Sequence, residues 1–321
     1  MIRERAIIAR LRRFATDPAA RGLLDDAAVL GDLVITHDSI AEGVHFFPFD
    51  PPQSVGWKLV AVNLSDLAAK GATPAAALLS LTIAGDGSWE EAFIGGIEAA
   101  CAHYGLPLVG GDTIGLPAGA PRVLGMTAIG KAGPRVPPRD GGKAGDRLWL
   151  MGSVGDSAAG LAQLHADSNA RGPLVEIYRR PVPLLAAGHA IAPHATAMID
   201  ISDGLLIDAL RLAEASGCIA AIDLGAISLS GDFIEARGES LEARLFAATG
   251  GDDYALLAAL PPRIDPSTLN LPEATTMACI GSLQPGPAAL KLSVRGEAVA
   301  TPETLGHEHH GQSAAPVADR P

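Results

Sequence analysis

Cysteine is scarce in this sequence, and long apolar runs are missing. The 321 residues include three cysteines, Cys101, Cys218 and Cys279, which lie far apart and are odd in number. A disulfide framework of the kind found in small secreted domains is therefore excluded. The apolar runs fall short of the roughly eighteen residues that a membrane-spanning helix requires. We expect a cytoplasmic protein without a membrane partner.

Basic residues are fewer than acidic ones. The sequence has 24 lysines and arginines and 36 aspartates and glutamates, which gives a net charge of −12. Nucleic-acid binding relies on clustered lysine and arginine side chains that neutralise phosphates, so a nucleic-acid partner is not expected. An acidic protein can still bind phosphates through metal ions. The length and the hydrophobic fraction of 48% favour two medium-sized domains with buried cores.

Several nucleotide-binding and nucleophile motifs are also missing. The sequence has no Gly-x-x-x-x-Gly-Lys-Ser/Thr phosphate loop, no Gly-x-Gly-x-x-Gly dinucleotide loop and no Gly-x-Ser-x-Gly nucleophile elbow. Cysteine and histidine clusters with zinc spacing are absent from the body of the chain. Because no Ser/His/Asp constellation is obvious either, we assign no catalytic side chain from the sequence.

Strands and helices alternate along the chain, which predicts a mixed fold of the α+β or α/β type. The opening MIRERAIIARLRRF resembles a transit peptide, but its apolar spacing suits a first helix. In the N-terminal half we predict strands over 33–40, 75–84, 106–113 (running into a turn) and 122–132, and helices over 61–74 and 88–105, the latter with a Ser88 cap.

Proline, glycine and charged residues concentrate in GPRVPPRDGGKAGD, residues 133–146, which indicates a domain junction. The second half is again mixed, with strand-and-turn segments at 146–155 and 195–204 that are each followed by a helix. We predict an N-terminal domain over 1–138, a C-terminal domain over 139–305 and a polar tail over 306–321. The end of that tail is expected to be disordered.

The stretch AVNLSDLAAKGATP, residues 61–74, has apolar residues at helical spacing but carries Asn63, Ser65 and Asp66 in its middle. An aspartate at the rim of an apolar stripe needs a partner. Pairing with Lys70, four residues on, is one explanation. A metal ion in an adjoining cleft is the other.

Aspartates recur at the ends of apolar segments, and if they converge, their mutual repulsion requires cations. Oxygen ligands favour magnesium, which is usually held by a few carboxylates together with substrate phosphates. The glycine pairs Gly110-Gly111 and Gly250-Gly251 would let the backbone approach phosphates closely. This pattern indicates magnesium-assisted phosphoryl transfer. The aspartates are Asp25, Asp26, Asp38, Asp66, Asp112, Asp200, Asp203, Asp252 and Asp253.

Seven segments in order, DDAAV, THDSIAEGVHF, AVNLSDLAAKGA, LVGGDT, GDSAAGLA, IDISDGLLID and GGDDYAL, resemble the thiamine-monophosphate kinase family of the aminoimidazole-ribonucleotide-synthetase-like superfamily. The resemblance covers roughly residues 20–260. It implies ATP-dependent phosphorylation of thiamine monophosphate to thiamine diphosphate, with several magnesium ions. It also implies a homodimer in which the N-terminal mixed sheets form a shared barrel, and a sandwich-like α/β C-terminal domain.

The resemblance assigns residues to three groups. Tyr104, Gly111, Asp112, Arg139 and Ser202 would contact ATP, whereas His45, Asp252 and His307 would contact the acceptor substrate. His37 would contribute its backbone rather than its side chain to the metal site. The implied magnesium ligands are Asp26, Thr36, His37, Asp38, Asp66, Asp112, Asp200 and Asp203.

Two departures from the family pattern fall in the acceptor pocket. Asp252 stands where the family usually has glutamate, and GHEHH at 306–310 stands where it usually has Gly-aromatic-Asp-His-Phe. A shorter acid can act through water, and an imidazole can stack with a pH-dependent charge. Alternatively, the HEHH cluster binds a transition metal.

The implied mechanism is direct in-line transfer, because a phosphate monoester with a second pKa of about 6 is largely deprotonated near neutral pH and needs no strong base. Two alternatives remain open. One is another ATP-using synthetase of the superfamily, and the other is a non-catalytic dimer that binds metal and nucleotide.

Overall fold

The computed structural model describes residues 4–273 and 275–308, which form two β-sheets with helices packed on them. The mixed α/β fold expected from the sequence is confirmed. In the described part of the chain, no helix is long and apolar enough to cross a membrane. The three cysteines are free thiols, as expected.

The N-terminal sheet has five strands in the order β1-β2-β5-β3-β4. Its central pairs β2–β5 and β5–β3 are antiparallel, and β4 runs parallel to β3 at the edge. Helices α2 and α3 supply much of the apolar cover of this sheet. The elements are α1 (Glu4–Leu11), a 3-10 helix (Pro18–Leu23), β1 (Ala28–Leu30), β2 (Leu33–Ala41), α2 (Pro52–Ala69), β3 (Thr73–Ile83), α3 (Ser88–Tyr104), β4 (Leu108–Gly115) and β5 (Val123–Lys131).

The C-terminal sheet has seven strands in the order β12-β11-β8-β10-β6-β9-β7, and β7 and β9 are buried along their whole length. Its strands are β6 (Arg147–Met151), β7 (Ala197–Ile201), β8 (Ile219–Asp223), β9 (Ala255–Leu260), β10 (Met277–Gln284), β11 (Ala289–Val294) and β12 (Glu297–Val299). Its α-helices are α4 (Asp156–Ala166), α5 (Pro173–Arg179), α6 (Leu185–Ile191), α7 (Leu205–Ser216), α8 (Gly231–Arg237) and α9 (Leu241–Thr249). Short 3-10 helices cover Leu224–Ala226 and Pro266–Thr268.

Helix α2 is buried on nearly every side, because small residues let neighbouring backbones approach it. A Cβ on Gly56 would lie 2.3 Å from the Phe93 carbonyl oxygen of α3. Similarly, a Cβ on Gly188 of α6 would lie 2.1 Å from the Ala68 carbonyl oxygen. The helix also contacts β2 and β5 of one sheet and β7 and β9 of the other. It is therefore part of both cores.

Several local expectations are wrong. The second helix ends at Ala69 rather than near residue 74. Gly87, not Ser88, occupies the N-cap position of α3, and the Ser88 hydroxyl bonds back to Asp86. Strand β4 continues through the Gly110-Gly111 pair instead of turning there. Gly111 is required by packing, because a Cβ at this position would lie 2.1 Å from the Leu79 carbonyl oxygen of β3.

The chain beyond β12 returns to the C-terminal domain. A Cβ on Gly306 would lie 2.4 Å from the Asp203 carbonyl oxygen, and the His307 amide donates to that same oxygen at 2.9 Å. The tail is therefore docked up to residue 308. His309, His310 and the rest of the tail predicted to be disordered lie outside the described residues.

Candidate active site

Three of the predicted metal ligands converge in a carboxylate cluster, which comprises Asp26, Asp66 and Asp200. One carboxylate oxygen from each residue lies within 4.8 Å of the others. Asp26 lies in the loop before β1, Asp66 lies on α2, and Asp200 lies on β7, so both halves of the chain supply the cluster. The Ser65 hydroxyl donates to Asp200 Oδ2 at 2.7 Å and ties α2 directly to β7.

Burial and like charge perturb this cluster strongly. Burial raises the pKa of Asp66 well above its usual range, and the charges of Asp38, Asp200 and Asp26 raise it further. Burial likewise raises the pKa of Asp200, with Asp26 as the strongest charged neighbour. The cluster therefore needs a proton or a cation, and its all-oxygen donor set fits a hard divalent ion such as magnesium.

Asp26 differs from its two neighbours because two cations hold it. Burial alone would raise the pKa of Asp26, but the Arg139 guanidinium and the Lys70 ammonium outweigh burial and lower that pKa. Lys70 is fully buried and lies 2.8 Å from Asp26 Oδ2 and 2.5 Å from Asp25 Oδ1. It also donates to the carbonyl oxygens of Pro137, in the interdomain segment (residues 133–142), and of Met198 on β7. The alternative that Lys70 pairs with Asp66 is therefore wrong.

Strand β2 places Thr36 and Asp38 on the cluster side and His37 on the opposite face, as strand alternation requires. The Thr36 hydroxyl donates to Asp66 Oδ2. The Asp38 amide donates to the Asn63 side chain at 3.0 Å, and the Asp38 charge raises the pKa of Asp66. The His37 ring is exposed, and its Nδ1 lies 2.9 Å from the Thr127 hydroxyl. The His37 side chain is thus turned away from the cluster.

Asp112 and Asp203 lie outside the 4.8 Å cluster of the described residues. Asp112 is exposed on the edge strand β4. Asp203 follows β7 and pairs with Arg211, which also lies 2.7 Å from Asp208. Burial raises the pKa of Asp208 to about 7, and the Arg211 charge partly offsets this rise. Arg211, which pairs with Asp203, is not among the site residues that the sequence predicts.

The residues predicted to contact the nucleotide differ in burial and in hydrogen-bond partners. Tyr104 ends α3, where its ring lies 5.6 Å from that of Trp57, and its hydroxyl is buried without a hydrogen-bond partner among the described residues. Burial raises the pKa of Tyr104 to about 12. Gly111 is packed against β3, while Arg139 bonds to Asp26. The Ser202 carbonyl oxygen accepts the Asp252 amide at 2.7 Å.

The predicted acceptor contacts His45 and Asp252 lie on either side of Lys58. Lys58 Nζ lies 2.7 Å from Asp252 Oδ2 and 3.0 Å from the His45 carbonyl oxygen. Tyr254 donates its hydroxyl to Asp252 Oδ1 at 2.8 Å. The Ala41 amide donates to His45 Nδ1 at 3.0 Å, so a neutral His45 ring carries its proton on Nε2.

Sequence reasoning missed Lys58, although a signal was present. Lys58 lies eight residues before Asp66, which places the two side chains on the same face of α2. Lysine at an apolar helix position is ordinarily assigned to the surface, whereas here its side chain is only 2% exposed. A cation on the buried face of a helix that also carries Asp66 would have indicated a buried carboxylate partner.

Family models match both halves of the chain. Residues 24–132 match the N-terminal domain of AIR synthase related proteins, and residues 143–261 match the C-terminal domain of that family. The two matched segments lie on either side of the interdomain segment. The carboxylate cluster draws residues from both of them.

The chain is also similar over most of its length to curated relatives and to a solved structure. The chain is 40% identical over 270 residues to the thiamine-monophosphate kinase of Caulobacter vibrioides, covering 79% of this chain and 76% of that protein. It is 38% identical over 252 residues to the thiamine-monophosphate kinase of Salmonella typhimurium, covering 75% and 76% respectively. The solved structure of AaThiL complexed with AMPPCP and TMP superposes with a TM-score of 0.82 at 31% identity, covering 96% of this chain and 97% of that one.

Proposed function

The chain belongs to the thiamine-monophosphate kinases of the AIR synthase related family, and we propose that it transfers the γ-phosphoryl group of ATP to thiamine monophosphate. A phosphate oxygen of the acceptor attacks the γ-phosphorus, and the bond between that phosphorus and the β–γ bridging oxygen breaks. The products are thiamine diphosphate and ADP. The relatives' activity and the ATP analogue and TMP in the AaThiL complex support this reaction.

The observation that carries the proposal is the buried carboxylate cluster of Asp26, Asp66 and Asp200, in which one oxygen from each residue lies within 4.8 Å of the others. With Thr36 and Asp38 beside it, this set would hold magnesium ions. When bound, such ions neutralise phosphate charge during transfer. We extend the same proposed role to the backbone of His37 and to Asp112 and Asp203, in accordance with the family pattern.

The chain's own side chains position the reactants and need not remove a proton. The acceptor is a phosphate monoester, whose second pKa of about 6 leaves it mainly as a dianion near neutral pH. Arg139, at the interdomain segment, is the cation proposed to face the ATP phosphates, and its guanidinium already neutralises Asp26. Tyr104, Gly111, Asp112 and Ser202 complete the proposed nucleotide contacts, and His45, Asp252 and His307 the proposed acceptor contacts.

We propose further that the protein is a cytoplasmic homodimer. The edge strand β4 exposes apolar side chains, among them Leu108 (50% exposed), Val109 (63%) and Ile114 (53%). An unpaired apolar strand edge of this kind favours association with another chain. The three unpaired cysteines support a reducing compartment.

A coupled assay tests the proposed reaction by measuring ADP and thiamine diphosphate from ATP, magnesium and thiamine monophosphate. Equal amounts of the two products are expected. ADP without thiamine diphosphate would indicate a synthetase of the same family, and ATP binding without ADP release would indicate a non-catalytic protein. Asp66→Asn is expected to abolish turnover at limiting magnesium. Asp32→Asn serves as the control, because Asp32 is an exposed carboxylate in the β1–β2 turn and its replacement should leave turnover unchanged.

A further inference from the structure

Lys58 is a buried cation outside the carboxylate cluster. Its side chain is 2% exposed, and its ammonium group contacts Asp252 Oδ2 and the His45 carbonyl oxygen. The same nitrogen lies 4.1 Å from the centre of the Tyr178 ring, and the Tyr178 hydroxyl donates to the His45 carbonyl oxygen at 3.3 Å. A lysine this deeply buried loses its hydration, and these contacts replace the water that an exposed ammonium group would bind.

The Asp252 side chain lies between Lys58 and solvent and is partly exposed. Its side chain is 24% exposed, whereas that of Lys58 behind it is 2% exposed. The backbone at Asp252 has a φ of +65°, and Tyr254 has a φ of +52°, both in the left-handed region that costs energy for such residues. The bonds from Lys58 and from the Tyr254 hydroxyl hold the Asp252 carboxylate in this conformation. The carboxylate is therefore presented in a fixed direction.

The contact joins the two halves of the molecule. Lys58 and His45 lie within the segment that matches the N-terminal family domain, and Asp252 lies within the segment that matches the C-terminal one. A buried ion pair adds little to stability compared with apolar residues of similar volume. What a pair in this position can supply is a fixed orientation of its two groups across the domain boundary.

We propose that Lys58 is a positioning residue for the acceptor substrate, which fixes the Asp252 carboxylate and the segment carrying His45 in one arrangement across the two domains. The inference rests on the proposed function, because the acceptor roles of Asp252 and His45 belong to it. Asp252 is one methylene shorter than the glutamate usual in the family. Its direct bond to Lys58 shows how a shorter acid is held in place at this position.

The test compares four variants: Lys58→Met, Lys58→Arg, Asp252→Asn and the double variant Lys58→Met/Asp252→Asn. For each, kcat and the KM values for thiamine monophosphate and ATP are measured together with the melting temperature. Lys58→Met is expected to raise the KM for thiamine monophosphate by about tenfold to a hundredfold, the range for a lost charged hydrogen bond. The KM for ATP is expected to change by less than about twofold. Lys58→Arg should partly restore the lower value.

The double variant separates positioning from stability. It removes both charges, so it should regain the melting temperature that Lys58→Met loses, because no buried carboxylate is left unpaired. Because Asp252 is itself a proposed acceptor contact, the KM of the double variant for thiamine monophosphate is compared with that of Asp252→Asn, and the two should agree within about twofold. A KM for thiamine monophosphate in Lys58→Met equal to the wild-type value would assign Lys58 a purely structural role and overturn the inference. If Lys58→Met does not fold, the uncharged double variant and Asp252→Asn provide the same comparison.

Arg244→Met is the matched control, because Arg244 is a half-buried cation that bonds the carbonyl oxygens of Leu224 and Ile227. This variant should lower the melting temperature without changing the ratio of the two KM values. If Lys58→Met changes the KM for thiamine monophosphate and the KM for ATP equally, the inference is overturned but the proposed function is not. A wild-type protein that forms no thiamine diphosphate would overturn the proposed function, and the inference with it.

Discussion

Replacing Asp66 with asparagine should stabilise the metal-free protein while abolishing its magnesium response. Asp66 belongs to a cluster whose carboxylate oxygens lie within 4.8 Å of one another. At that distance, and with an effective dielectric constant near 20, two full charges repel by about 3 kcal/mol. Protonation relieves part of this repulsion at neutral pH, so we expect a gain of about 1 to 3 kcal/mol in the free energy of unfolding at pH 8.

The pH dependence has a defined sign. Burial and neighbouring charges raise the pKa of Asp66 in the folded state, so between its unfolded pKa and its folded pKa the native protein binds more protons than the unfolded chain. Stability of the metal-free protein should therefore fall as pH rises through that window. Asp66→Asn should reduce this slope. Asp200, Asp208 and Asp253, whose pKa values are also raised, contribute to the slope that remains.

The assay is thermal unfolding in chelator at pH 5.5 and pH 8, repeated with magnesium. The wild type should gain melting temperature on addition of magnesium, whereas Asp66→Asn should start higher and gain less. Asp32→Asn makes the same charge change at an exposed turn and should follow the wild type in both conditions. A lower melting temperature for Asp66→Asn than for wild type in chelator at pH 8 would refute the reasoning.

Three further predictions concern stability and assembly. Lys70→Met should lower the free energy of unfolding by about 1.5 to 3 kcal/mol, because it removes the buried cation shared by Asp25 and Asp26 and leaves them only Arg21 and Arg139 as charged partners, and urea unfolding measures this. Gly111→Ala should cost about 1 to 3 kcal/mol in the same assay, because its Cβ would lie 2.1 Å from the Leu79 carbonyl oxygen; an unchanged midpoint would contradict that packing. Val109→Glu should convert the proposed dimer to monomer, since it adds a charge to the exposed apolar edge of β4, and light scattering should then give half the wild-type mass.

Helical and strand periodicity predicted the elements that carry the site. The strand over 33–40 and the helices around Asp66 and at 88–105 are present, because their apolar spacing reflects burial along one element. Their ends were predicted less well. Ser88 is a favourable cap by residue type, but the chain places glycine at that position. Element boundaries depend on local hydrogen bonds that residue preferences describe only on average.

The ion pairs could not be read from the sequence, because their partners are distant along the chain. Helical spacing predicts that Lys70 pairs with Asp66, yet Lys70 forms its ion pairs with Asp25 and Asp26 in the loop before β1. Lys58 resembles a surface lysine until its tertiary partner Asp252 is known. Likewise, the sequence predicts a turn at the Gly110-Gly111 pair, whereas the chain continues there as an edge strand that packs closely against β3. Tertiary packing decides each of these cases.

Helix α2 belongs to both hydrophobic cores, and this limits how the enzyme can move. A hinge motion between the halves would break the hydrogen bond from the Ser65 hydroxyl to Asp200 and separate the Ala68 backbone from Gly188. Rotation of one half against the other is therefore disfavoured as the step that admits reactants or releases products. For the same reason, neither half excised by itself should retain the complete carboxylate cluster.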